Sequence, residues 1–134
     1  YGGMFYVIVD ADQVGLTLSP DEAKEITRAG EMIKAATVEQ LEEPVHPENP
    51  EIRGVTIGQL SAPPVTPGAH RKNTVIVSSG QLDWDRPSTW TAVLDRSPCG
   101  TGTSAMMVSM WSKGELPLYQ EFVHEGILGT TFTG

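Results

Sequence analysis

The stretch Thr103 to Lys113 (Thr-Ser-Ala-Met-Met-Val-Ser-Met-Trp-Ser-Lys), closed by Gly114, carries apolar side chains on nearly every side of a helical projection. A helix with no polar face has to be surrounded by other elements, and this requirement constrains the fold more than any other part of the chain. Met106, Met107 and Met110 read as adaptable core filler rather than as a metal-binding set.

Strand and helix signals alternate ahead of that run. Met4 to Val9 is a dense aromatic and β-branched segment ended by Asp10, the pattern of a strand buried on both faces. In Ser19-Pro20-Asp21-Glu22, Ser19 caps a helix, Pro20 takes a place that needs no N–H donor, and Glu22 completes a capping box. Ala23, Ile26, Ala29, Ile33 and Ala36 recur at three- and four-residue steps, predicting an amphipathic helix to about Glu43, with its acidic side in water. Proline-rich connections run from Pro44 to Pro50 and from Ala62 to Gly68; strands are expected at Gly54 to Leu60 and Asn73 to Ser78, and Gly126 to Thr133 is a last apolar, β-rich segment. Residues 1–134 thus read as a single domain, an α/β or α+β sheet packed on helices.

The net charge of -8 repels phosphate backbones and anionic lipid surfaces, and Arg71-Lys72 is too small a basic patch to offset it. Neither nucleic acid nor membrane is expected as a partner. The acidic excess from Glu39 to Glu51 reads as a solvated face. One cysteine excludes an internal disulfide and no long apolar run is present, so a cytoplasmic location is expected. The chain begins Tyr1-Gly2-Gly3 and opens directly into core, so preceding residues, from another domain or since removed, are expected as well.

The chemistry concentrates just before the apolar helix, in Asp95-Arg-Ser-Pro-Cys99-Gly-Thr-Gly-Thr-Ser104. There Cys99, Gly100 and Thr101 occupy the positive end of a helix dipole, where unpaired N–H groups bind carboxylates and thiolates are stabilised. Pro98 fixes the approach to Cys99, and the glycines let a ligand come close to the main chain. Asp95 could hold a cationic amine. Together they match an α-amino acid: carboxylate on the N–H groups of Gly100 and Thr101, nitrogen at Asp95, Cα hydrogen at Cys99. Taken singly, a cysteine among apolar residues is an inert small hydrophobe and an aspartate is a turn former; the combination carries the reading.

Other motifs fail. Gly100-Thr-Gly-Thr-Ser-Ala105 fits a dinucleotide glycine pattern, but Ser97-Pro98-Cys99 interrupts the strand that must feed it. No Gly-Lys-Ser/Thr follows for a phosphate loop. His46, His70 and His124 are scattered and lack a paired-ligand spacing, so no metal is expected; His70 and His124 read as surface or hydrogen-bonded structural residues.

The run Asp95 to Ala105 resembles the second signature of the proline racemase family, which includes hydroxyproline epimerases and trans-3-hydroxyproline dehydratases. Tyr1-Gly-Gly-Met-Phe-Tyr6 is similar to the opening of that family's second domain. Arg71-Lys-Asn-Thr-Val-Ile76 resembles its strand before the signature, and Lys113-Gly-Glu-Leu116 with Glu125-Gly-Ile-Leu-Gly129 resembles its sequel. The resemblance implies an α+β, diaminopimelate epimerase-like fold: two pseudo-symmetric domains, each a mixed β-sheet curled around a central buried helix, with the active site between them. It implies cofactor-independent racemisation or epimerisation of proline or hydroxyproline, in which one residue removes the Cα proton and another delivers a proton to the opposite face.

On that resemblance Cys99 is the second domain's acid/base, Asp95 the contact to the substrate nitrogen, and Gly100 with Thr101 the donors to the carboxylate. The family's first signature, a cysteine or serine followed by Gly-His, has no counterpart here, so the expected partners are the amino acid and a first domain of the same polypeptide, a homodimer being compatible. The fragment alone is expected to be inactive. Dehydration of 3-hydroxyproline and plain amino-acid binding are the alternatives. The stretch Leu82 to Val93, longer than in typical members, is placed where it could border the substrate cleft, with Trp84 and Trp90 as packing anchors.

Overall fold

The computed structural model describes residues 1–134. Six strands, β1 (Phe5–Asp10), β2 (Val55–Ala62), β3 (Arg71–Ser78), β4 (Ala92–Leu94), β5 (Val123–Glu125) and β6 (Thr131–Thr133), form one sheet with two helices, α1 (Ala23–Gln40) and α2 (Gly100–Ser112). The sheet is mixed: β1 runs parallel to β2, β2 antiparallel to β3, β3 parallel to β5, and β5 antiparallel to β6. The far edge of β3 is shared, with β5 beside Arg71 and Lys72 and β4 beside Ile76 to Ser78. Between those two short strands the edge of β3 is left to the loop that follows β4.

Strand alternation sends side chains to two faces, and each face takes one helix. On one face Leu60, Ala62 and Ile76 pack with Ile26 of α1, and with Leu18 and Ile127 from flanking segments. Gly30 makes this contact close: a Cβ there would lie 2.6 Å from the Cγ1 of Ile76. On the other face Ile8, Met106, Leu116 and Phe122 form a second cluster beneath α2.

The capping box forms as expected, with Glu22 accepting from the Ser19 N–H at 3.0 Å, and its first turn is a 3-10 turn at Pro20–Glu22. Helix α1 ends at Gln40 rather than near Glu43: Leu41 is already extended, although its N–H still donates to the Thr37 carbonyl. β1 is half-buried rather than buried on both faces; as the terminal strand it has only β2 for a neighbour. The apolar segment from 126 to 133 is a turn at 126–130 followed by β6, which pairs antiparallel with β5 just before the segment.

Helix α2 buries Gly102, Thr103, Ala105 and Met106 against the sheet and leaves Val108 and Trp111 about half exposed. The sheet curls around one side of this apolar helix, so the cover that its sequence demands is provided there and not on the outward side. The stretch after β3 also lies elsewhere than expected. Trp84 donates to Glu39 at 2.7 Å and Arg28 stacks 4.5 Å above the ring of Trp90, which ties the segment to α1, on the sheet face opposite α2.

Candidate active site

The loop from β4 to α2 runs along the open part of the β3 edge. Asp95 N–H donates to the carbonyl of Val75 at 2.9 Å, and the Asn73 carboxamide donates to the carbonyl of Pro98 at the same distance. The loop delivers Cys99 to the head of α2, where it is the N-cap residue with φ +64° and ψ 127°. Few L-residues occupy that region, and holding one there costs about 1–3 kcal/mol, so the surroundings must enforce it. Gly102, one turn in, lets the helix head rest on the sheet: a Cβ there would lie 2.9 Å from Gln59 Oε1 and 3.0 Å from Val75 Cγ2.

Three of the expected groups converge. The half-buried thiol of Cys99 lies 3.6 Å from the hydroxyl of Thr101. The N–H groups of Gly100, Thr101 and Gly102 have no protein acceptor; the first capping bond is Thr103 N–H to the Cys99 carbonyl, at 2.9 Å. Unpaired donors at a helix head form a cradle for an anion.

Asp95 is part of the same loop and acts on its backbone. Its Oδ1 accepts from both the N–H and the hydroxyl of Ser97 at 2.9 Å, and the Ser97 hydroxyl oxygen accepts the Cys99 N–H at 3.1 Å. Its other carboxylate oxygen takes no protein hydrogen bond. An acidic group is therefore held by an Asx-type turn in the loop that carries the thiol.

Tyr6 belongs to this site and sequence reading placed it only in a core strand. Its hydroxyl lies 3.5 Å from Cys99 Sγ and 2.6 Å from the Thr101 hydroxyl. Burial and the hydrogen bond to Cys99 push its pKa up to about 12, so it stays a neutral phenol at physiological pH. The signal was present: a phenol in a run of apolar residues requires a polar partner, and Tyr6 shares its face of β1 with Ile8, which packs under α2.

Behind the loop, His124 is fully buried with its Nδ1 2.9 Å from the Thr103 hydroxyl. Desolvation of the imidazolium lowers its pKa to about 4, so the ring is neutral. His70 accepts the Val123 N–H on Nδ1 at 2.8 Å. Both histidines are hydrogen-bonded structural groups.

The whole chain, residues 1–134, matches the family model described as proline racemase. The chain belongs to the proline racemase family. Among relatives of this proline racemase family member, Proline racemase A of Trypanosoma cruzi is 37% identical over 134 residues, covering all of this chain and 29% of its own length. A probable 4-hydroxyproline 2-epimerase of Rhizobium meliloti is 38% identical over the full chain, which covers 36% of that protein. The chain thus spans about a third of the length of the curated relatives that it matches. A crystal structure of a hydroxyproline epimerase from Agrobacterium vitis with bound trans-4-OH-L-proline superimposes with a TM-score of 0.81 at 31% identity, over 99% of this chain and 34% of that one. A probable proline racemase from Agrobacterium radiobacter with bound carbonate gives a TM-score of 0.82 at 29% identity, over 99% and 35%.

Proposed function

We propose that this chain is the second domain of a two-domain, cofactor-independent racemase or epimerase acting at the α-carbon of proline or hydroxyproline. The observation that carries the reading is the seating of Cys99 at the head of α2, its thiol beside unpaired N–H groups and one loop turn from the Asp95 carboxylate. The names of the relatives and the trans-4-OH-L-proline bound by the Agrobacterium vitis epimerase support the choice of substrate class.

The substrate carboxylate sits on the N–H groups of Gly100 and Thr101, at the positive end of α2. The substrate nitrogen, cationic at neutral pH, pairs with the free oxygen of Asp95. Two-point binding leaves the Cα hydrogen facing Cys99, which removes it as thiolate or supplies one as thiol, according to the direction of turnover. Negative charge that develops on the carboxylate as the proton leaves is met by donors already in place. Thr101 and the protonated Tyr6 hold the sulfur by their hydroxyls. Inversion needs a second proton carrier on the opposite face of Cα, which this reading assigns to a complementary domain of the same polypeptide.

The test is to join the chain to such a domain and follow optical rotation and deuterium uptake at Cα from D2O. Inversion accompanied by uptake of solvent deuterium is expected, abolished in Cys99→Ser. Normal turnover by Cys99→Ser would sink the proposal.

A further inference from the structure

We propose that Asn73 is a positioning residue, clamping the Pro98–Cys99 peptide so that Cys99 keeps its left-handed backbone and its thiol stays at the head of α2. Asn73 lies in the middle of β3 with no exposed surface. Its Nδ2 donates to the Pro98 carbonyl at 2.9 Å, and its Oδ1 has no partner. A carboxamide buried so deeply loses its hydration, and a single hydrogen bond is what it gains in return. That bond goes to the peptide whose other end is the Cys99 N–H.

The other end is held as well, since the Cys99 N–H donates to the Ser97 hydroxyl oxygen at 3.1 Å and that hydroxyl is tied to Asp95. With both the C=O and the N–H fixed, the peptide plane cannot rotate, and φ of Cys99 is held at +64° against a penalty of about 1–3 kcal/mol. Release of the carbonyl end lets the plane turn, which swings Sγ away from Tyr6 and Thr101. Asn73 never touches a substrate in this arrangement; it acts through Cys99. The clamp therefore rests on the proposed role of Cys99 for its effect on turnover, while the hydrogen bond can be tested without it.

The decisive variant is Asn73→Asp in the enzyme assembled with its complementary domain. A neutral carboxyl can donate to the Pro98 carbonyl, but an ionised one faces it with lone pairs only. A misplacement of about 1 Å costs on the order of 10²-fold in rate, so kcat should fall by about that factor where the introduced carboxyl is ionised, with KM within about twofold. The ratio of variant to wild-type kcat should recover as pH is lowered and the carboxyl regains its proton. The carboxyl stretch in infrared difference spectra reports where the introduced group ionises; a wild-type ratio above that pH, or a uniform loss with no recovery below it, overturns the proposal.

The unaltered 134-residue chain gives a second reading that needs no variant to fold. The clamp requires the Asn73 carboxamide protons to exchange slowly with solvent in NMR spectra; rapid exchange overturns it. Slow exchange combined with full turnover by Cys99→Ser keeps the clamp and removes the functional reading, so the two failures are distinguishable.

Discussion

Cys99 combines the chemistry of the site with its strain, and substitutions can separate the two. At φ +64° glycine carries no Cβ penalty, whereas alanine retains it. Cys99→Gly should therefore be more stable than Cys99→Ala by about 1 kcal/mol in urea unfolding, while on the proposed role of the thiol neither variant shows inversion in the assembled enzyme. Equal stability of the two variants would mean that the backbone relaxes once the thiol is gone. Tyr6→Phe removes one hydroxyl from a site it shares with Cys99 and Thr101. A lost hydrogen bond worth about 1.4 kcal/mol lowers kcat about tenfold, readable in steady-state kinetics. The shared placement of Cys99, Asp95, Gly100 and Thr101 at the head of α2 was legible in the sequence because they lie close together in one loop, so local rules alone bring them together. Tyr6 and Asn73 were not, since only strand pairing and the placement of α2 carry residues that far off in sequence to the same loop.

Among the elements, β5 is short but joined to the core by charge. Glu125 pairs with Lys72 across the strand boundary at 3.8 Å, with 2% and 8% of the respective side chains exposed. Burial acts to raise the Glu125 pKa, but the N–H groups of Thr66 and Val65 and the Lys72 ammonium outweigh it and lower the pKa. Glu125→Ala leaves a buried ammonium unpaired and two loop N–H groups without an acceptor. It should cost about 3–5 kcal/mol, read from the urea midpoint at constant slope. Capping chemistry made the start of α1 legible, because a capping box is a local device; its end was not, because no glycine or other local stop stands at Gln40 and Leu41. Of the β5–β6 hairpin only β6 falls in the segment that the sequence marks as β-rich; β5 lies ahead of it and is three residues long, too short for alternation to register.

At the scale of the whole molecule, acid works on fold and solubility together. His124 is neutral in the folded chain, with a pKa of about 4, and returns to the ordinary value of 6.5 when unfolded. Between those values the unfolded chain binds more protons than the folded one, so stability rises with pH across the window. The contribution of a neutral His124 is complete above about pH 6.5 and is lost progressively towards pH 4, on the order of 3 kcal/mol over the window. Glu125, with its lowered pKa, adds a further loss below 4.5. The net charge of -8 at neutral pH vanishes near the isoelectric point of 4.7, inside the His124 window. A population of unfolded chains therefore grows where electrostatic repulsion between molecules is weakest, and the apolar outward side of α2, with Val108 and Trp111, is already open to contact. The chain should show a lower urea midpoint at about pH 5.5 than at about pH 7.5, and light scattering should rise as pH approaches 4.7. His124→Asn, which keeps a polar group beside Thr103 but cannot titrate, should flatten the stability change between those pH values. An unchanged slope in that variant would assign the acid sensitivity to the carboxylates and not to His124.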